Sequence, residues 1–599
     1  MSGTVGVGGG LDFRASGYTV SGGTMAMRGY TRAANAITVA SGVTATIAST
    51  LTGSTGLTKS GTGVLALAGT GTGLSGGVAI TAGMLTLGTG GTAGTLAVSN
   101  TFTIAAGGTL GFNRSDAYGG AFANAISGSG AIRLLSGSLG LSGSQSFTGA
   151  TIVSAGTLTA SAAALQGTSS IAVDGGVLSA AGYNPLAPLT VAASGSATIS
   201  GTGLSLAAVT NSGSGGRGVN FTAATGTITL AGLSGTGATR FGSHAAIAGG
   251  VSAGSVTVVG GLTAGVSGGT VTAGSLTSGT VSGGTLGITG SAAITRFSGG
   301  SATLAGPATI GTMASGSVTL SGSTATITTL SGGRVSLGGT ALTVSGGTFA
   351  GTLSGSTGSL RKTGPGVLVL SSSSSLSAPT SVLGGVLRLD DASALAASRI
   401  TPLAGGTLTI APRLSALVGG LAANAGGLTD VGNGAITVAS GLSATDMVTA
   451  IVSGLGDGSW NGASGITSSA AAQAPGGGGA VGWLDNGDGS VTFAYAAAGD
   501  SNLDWFVDIL DAANFLAAGA FDAGFGSSWN DGDYTYDTLV DILDAASFLS
   551  TGLFDTGGYN DAAPQGVAAV PEPASAAAVA VAGVIVLAVA RRRFVAAGF

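Results

Sequence analysis

Cysteine is missing from this chain altogether, which excludes disulfide staples and thiolate metal sites. Charge is scarce as well. Only 7% of residues are Asp, Glu, Lys or Arg, against roughly a quarter in an ordinary soluble domain. Before Asp390 the acids are Asp12, Asp116 and Asp174, so a β-helix glycosidase would have almost no carboxylates from which to assemble a catalytic pair. The single histidine, His244, follows Phe241-Gly242-Ser243 with no acid nearby in sequence, and reads as a surface or turn residue. Basic residues are thinly scattered, without the clustered footprint of a nucleic-acid binder. Nucleic acid is therefore not an expected partner. Aromatics make up 5%, so any core must be built from small aliphatic side chains.

Glycine is what the chain has in abundance, 117 of 599 residues. Short runs of alternating apolar and small polar residues end on or beside a glycine at 255–260, 285–290, 317–322, 334–338 and 341–347. Alternation with period two buries one face of a strand and exposes the other. Glycine at the ends supplies the positive φ that tight turns demand. So many short strands exceed any single sandwich, and stacking is the remaining way to bury them. An all-β fold, a parallel β-helix or β-solenoid, is expected over residues 1–430.

Three longer units share a pattern. The first reads Lys59-Ser60-Gly61-Thr62-Gly63-Val64-Leu65-Ala66-Leu67, then Ala82-Gly83-Met84-Leu85-Thr86-Leu87. The third reads Lys362-Thr363-Gly364-Pro365-Gly366-Val367-Leu368-Val369-Leu370, then Gly384-Gly385-Val386-Leu387-Arg388-Leu389. A middle copy, Gly137-Ser138-Leu139-Gly140-Leu141 with Ala155-Gly156-Thr157-Leu158, lacks the lysine. These units resemble the autotransporter-associated β-strand repeat, a likeness that implies a right-handed β-helix displayed outside the cell. Autotransport itself also needs a C-terminal membrane barrel of ten-residue alternating strands, and the sequence after Ala498 does not have that pattern.

Residues 431–498 read as a β-rich bridge with a Gly-rich linker at 472–480. Within it, Asp485-Asn486-Gly487-Asp488-Gly489-Ser490 has the chemistry of a hairpin turn, with calcium ligation as the alternative. Beyond, acids crowd together from Asp500 to Asp561. The net charge of −5 thus averages a mildly basic body with a strongly acidic module.

That module, residues 499–561, contains two copies of Val-Asp-Ile-Leu-Asp-Ala-Ala, 33 residues apart at 507–513 and 540–546. Calcium loops place side-chain oxygens at positions 1, 3, 5, 9 and 12 and a backbone carbonyl at 7. Counted this way, the first loop offers Asp500, Asn502, Asp504, Asp508 and Asp511, with the Phe506 carbonyl at position 7. The second offers Asp533, Thr535, Asp537, Asp541 and Asp544, with the Leu539 carbonyl. Val507 and Val540 at position 8 suit a short strand pairing the two loops. The segments after each loop should be helical, with Phe515 and Phe548 facing the other repeat. Position 6, usually glycine, is Trp505 or Thr538. Each must take the left-handed conformation, at about 1–2 kcal/mol, or the loop must bend differently. This duplicated loop–helix resembles a type I dockerin, although its 33-residue spacing leaves a longer connector. The likeness implies bound Ca²⁺ and a cohesin-like partner.

In the tail, the uncharged residues 574–590 would span about 26 Å as a helix, close to the roughly 30 Å hydrocarbon core. Arg591, Arg592 and Arg593 follow and would stay cytoplasmic. A plain membrane anchor is one reading. Val570-Pro571-Glu572-Pro573, an apolar helix and an Arg cluster, in that order, resemble the PEP-CTERM sorting signal. This resemblance implies transient inner-membrane anchoring, processing by an exosortase-type enzyme, and release to the cell surface or extracellular matrix. Residues 1–6 show neither a basic start nor an apolar core, so a mis-assigned start or a truncation is expected, and export has no evident route if Met1 is the true start. The sequence as a whole reads as a non-catalytic structural or adhesive surface protein, with extracellular polysaccharide among its expected partners. An autotransporter-like adhesin passenger and a polysaccharide-active β-helix enzyme are the alternatives.

Overall fold

The computed structural model describes residues 1–560 except 32, 119–120, 183–186, 223–224 and 475–477. The sorting motif at Val570, Pro571, Glu572 and Pro573, its apolar run and Arg591, Arg592 and Arg593 therefore lie outside the described residues. Four α-helices occur among those described: α1 (Ala162–Leu165), α2 (Ala444–Leu455), α3 (Ile509–Ala518) and α4 (Ile542–Thr551). None is long and apolar enough to cross a membrane. The chain divides into two compact units, one formed by Met1–Thr467 with Asp485–Thr492, the other by Ser468–Leu484 with the described residues from 493 onward.

The first unit is a parallel β-solenoid of about 21 turns. Each strand bonds to its equivalent one turn later, so identical positions stack into columns. One inward column runs Val256, Val271, Leu286, Ala302, Val318, Val335, Leu353, and every member is buried. Burying a Val or Leu side chain contributes about 1.5–3 kcal/mol, and in a solenoid that gain is realised only when the neighbouring turn is present. The residues between, such as Thr272, Thr303 and Thr319, point outward. Aromatics enter this interior sparingly. Phe221 and Phe241, aligned on adjacent turns, stack with centroids 4.9 Å apart.

Glycine does two jobs at one corner of the turn. Gly269 and Gly284 have φ of +73° and +81°, which L side chains rarely adopt. A Cβ on Gly284 would also lie 2.7 Å from the carbonyl oxygen of Gly269 on the turn below. A side chain there is strained and obstructed together. The same corner leaves a shallow groove of roughly 450 Å³ lined by Gly300, Gly316, Ser317, Gly333, Arg334, Gly351 and Thr352.

The parallel ladder continues past the expected boundary at residue 430. Ala435–Val438 pairs with Ser415–Leu421, and Gly465–Thr467 pairs with Leu428–Asp430. Helix α2 interrupts these last turns. Ser443 caps it by accepting the Asp446 N–H at 3.1 Å, and Gly456 at φ +65° ends it. Period counting over 431–467 is blurred by this insertion, because the residues that close the solenoid come from both sides of the helix.

The second unit has an aromatic core instead of an aliphatic one. Trp529 is fully buried, stacks on Tyr536 at 5.7 Å and meets Tyr534 edge-on at 5.0 Å. The Tyr536 hydroxyl accepts the Val481 N–H at 3.1 Å and donates to the Val481 carbonyl at 3.0 Å. Part of the expected bridge is thereby built into this unit, and Gly479 begins a strand, Gly479–Asp485, rather than extending the linker. The segment 485–490 is a turn: Asp485 accepts the Gly487 N–H, Asp488 accepts from Ser490, and Gly487 and Gly489 take positive φ.

Candidate functional site

Each acidic loop feeds directly into a helix, and its carboxylates are held by backbone N–H groups. In the first loop Asp500 accepts the N–H of Asp504 at 3.2 Å and of Trp505 at 3.0 Å. In the second Asp533 accepts those of Asp537 at 3.2 Å and Thr538 at 2.9 Å. Asp504 and Asp537 accept the N–H of Phe506 and Leu539, the two position-7 residues, at 2.9 Å each. Trp505 and Thr538 sit at φ +67° and +69°, the left-handed conformation expected of position 6. Leu503 and Tyr536, two residues earlier in each loop, are left-handed too, at +61° and +62°, which sequence reasoning missed.

The later acids have roles that spacing alone does not reveal. Asp508 and Asp541 are helix N-caps, accepting the N–H of Leu510 at 2.7 Å and Leu543 at 2.6 Å. Asp511 and Asp544 complete a capping box by accepting the N–H of Asp508 at 2.9 Å and Asp541 at 3.0 Å. They also reach back to the loop start. Asp511 accepts the Ser501 N–H, and Asp544 those of Tyr534 and Thr535. An acid three residues after another, ahead of a helix, is the signal that could have revealed this.

Asn502 donates to Asp504 at 2.9 Å, while Thr535 has its hydroxyl oxygen buried without a hydrogen-bond partner among the described residues. Carboxylate oxygens of Asp533, Asp537 and Asp544 lie within 4.8 Å of one another. Burial, reinforced by Asp511 and Asp504, pushes the Asp500 carboxyl up to about 7. Burial, reinforced by Asp544 and Asp537, pushes Asp533 up to about 6. In the second loop, gathered oxygen donors, like charges held together and an orphaned hydroxyl at position 3 fit a hard cation such as Ca²⁺. The first loop offers the same positions, with Asn502 hydrogen-bonded to Asp504. When bound, such an ion neutralises the carboxylates and ties the loop to its helix.

Phe515 abuts Gly532 and Phe548 abuts Gly499, so each helix packs on the start of the other loop, as expected. The position-8 valines do not pair with each other. Val540 bridges Phe521, and its carbonyl accepts the Asp522 N–H at 2.8 Å, while the Val507 carbonyl accepts the Asp555 N–H at 2.8 Å. Each loop is paired by the chain that leaves the other helix. Ile509, Leu510 and Leu516 on α3, and their equivalents Ile542, Leu543 and Leu549 on α4, stay exposed.

The solenoid holds a second kind of polar site. Lys59 and Lys362, the lysines of the first and third longer units, are wholly buried. Lys59 Nζ donates to the carbonyls of Ser60, Gly61 and Ala82 at 3.0, 2.6 and 3.1 Å. Lys362 Nζ donates to Thr363, Gly364 and Gly384 at 2.9, 3.0 and 2.9 Å. Two acceptors lie in the turn that follows and one on the next turn of the coil, immediately before the glycine that starts its strand. Burial pushes the Lys59 ammonium down to about 8 and lowers Lys362 as well.

Fold and sites together define a parallel β-solenoid protein with a separate two-loop acidic unit. Residues 57–87, 136–160 and 360–389 match one family model, the passenger-associated transport repeat. The three matches coincide with the three units read from the sequence, and the two outer ones contain the buried lysines. Comparison with curated proteins and with solved structures gives no match. The repeat match and the solenoid point to an autotransporter-like passenger, and repeats of this kind imply a surface or extracellular location.

Proposed function

We propose that this chain is a non-catalytic, surface-displayed solenoid of the autotransporter-passenger type, serving as a structural spacer or adhesive face. The observation that carries this reading is the placement of all three passenger-repeat matches on one parallel coil. The groove at the glycine corner has Arg334 as its charged lining residue and no paired acids, which favours adhesion over hydrolysis. The acidic unit binds Ca²⁺ at Asp500, Asn502, Asp504, Asp508 and Asp511 and at Asp533, Thr535, Asp537, Asp541 and Asp544. Its exposed Ile-Leu pairs offer a cohesin-like partner two equivalent apolar faces, and extracellular polysaccharide is a ligand for the solenoid.

The Pro-Glu-Pro tail makes a matrix protein, sorted by an exosortase-type enzyme from the inner membrane, the second reading. Cell fractionation with sizing of the mature chain tests both. Protein at the surface, digestible by protease added to intact cells, is the expected result. Loss of a C-terminal fragment of roughly 3 kDa would favour the sorted form. A chain confined to the cytoplasm would overturn both.

A further inference from the structure

The two acidic loops are built alike, but their first aspartates are held differently. Asp533 accepts the two N–H groups of its own loop. Asp500 accepts the equivalent pair and, in addition, the hydroxyl of Tyr559 at 2.5 Å. Tyr559 lies 59 residues away in sequence. Its hydroxyl oxygen accepts the Ala497 N–H at 3.0 Å, which directs its own proton to Asp500. The segment carrying it runs along the first loop: the Asp555 N–H donates to Val507 and the Tyr559 N–H to Trp505, at 2.8 and 3.0 Å. Its ring lies against Tyr495, with centroids 6.1 Å apart.

We propose that Tyr559 is a positioning residue for the cation of the first loop, so that occupancy of that loop and docking of residues 553–560 hold one another in place. The proposal rests on the cation reading given above. A hydrogen bond to one carboxylate oxygen fixes which way the other points, and groups that orient metal ligands in this way typically govern affinity by about 10–100-fold. Linkage makes the effect reciprocal: if docking tightens the ion, the ion tightens docking by the same factor. The docked segment is the last described stretch before the residues that carry Pro571-Glu572-Pro573.

Calorimetry of the full chain with Ca²⁺ should show two sites, and Asp511→Ala or Asp544→Ala should leave one. Tyr559→Phe should weaken binding about tenfold in the Asp544→Ala background, where the first loop remains. In the Asp511→Ala background it should change nothing. Hydrogen exchange in the unmutated protein supplies a readout that needs no substitution: Ca²⁺ should slow exchange at residues 553–560. Equal affinities with and without the hydroxyl, or exchange in 553–560 indifferent to Ca²⁺, would overturn the proposal while leaving the cation reading intact. Absence of any heat of binding would remove the cation reading itself.

Discussion

Lys59 shows what one inward cation requires of an aliphatic interior. Its stem lies among buried side chains while three carbonyls surround the ammonium, offsetting part of the cost of leaving water. Lys59→Met would leave those carbonyls without their donor, at about 1–3 kcal/mol each before the gain from removing a buried charge. A net local loss of about 2–4 kcal/mol is expected, read as faster hydrogen exchange over residues 57–87. The pH dependence has a definite sign. An unfolded lysine titrates near 10.4, whereas burial brings Lys59 to about 8. Between these values the folded state holds fewer protons than the unfolded chain, so stability rises as pH rises from 8 towards 10. Exchange protection of the first repeat, corrected for intrinsic rates, should grow across that window and stay flat in Lys59→Met. The Lys-x-Gly-x-Gly spelling is plain in the sequence. That the lysine turns inward is not, because polar residues in alternating strands usually face water.

At the scale of the element, the glycine corner links turn geometry to stacking. Gly284→Ala places a methyl in a left-handed residue and 2.7 Å from the Gly269 carbonyl. Strain of about 1–2 kcal/mol adds to that clash. Protection should fall in the two neighbouring turns and leave distant ones untouched, as expected when each repeat contacts only its neighbours. Uniform loss of protection along the whole solenoid would contradict this. The acidic loops give the opposite lesson about legibility. Spacing of the aspartates marks the loops, and position 6 is left-handed as the motif requires. The double duty of Asp508 and Asp541 as helix caps comes from how each helix starts. The crosswise pairing of Val507 and Val540 depends on where each chain goes after its helix, which no local motif encodes.

For the whole molecule, two units with different cores should respond differently to the same treatment. The solenoid is held by stacked aliphatic columns and two buried lysines. The acidic unit is held by an aromatic nucleus around Trp529, while its carboxylates crowded at Asp500 and Asp533 repel one another unless a cation neutralises them. Chelation with EDTA should lower the melting of the acidic unit, which holds Trp483, Trp505 and Trp529 of the four tryptophans, followed through near-UV dichroism and tryptophan fluorescence, and leave the far-UV β transition in place. A single transition moving as one with Ca²⁺ would mean that the units unfold together. Composition and period-two patterning by themselves determined the coiled all-β body, the passenger-type repeats and the duplicated acidic loops, because those depend on which residues alternate and how often. The continuation of the coil past residue 430, the inward lysines, the crosswise loop pairing and the Tyr559–Asp500 contact were decided by tertiary structure alone. Each joins groups that meet only after the chain has folded back on itself, and a one-dimensional pattern holds no record of that meeting.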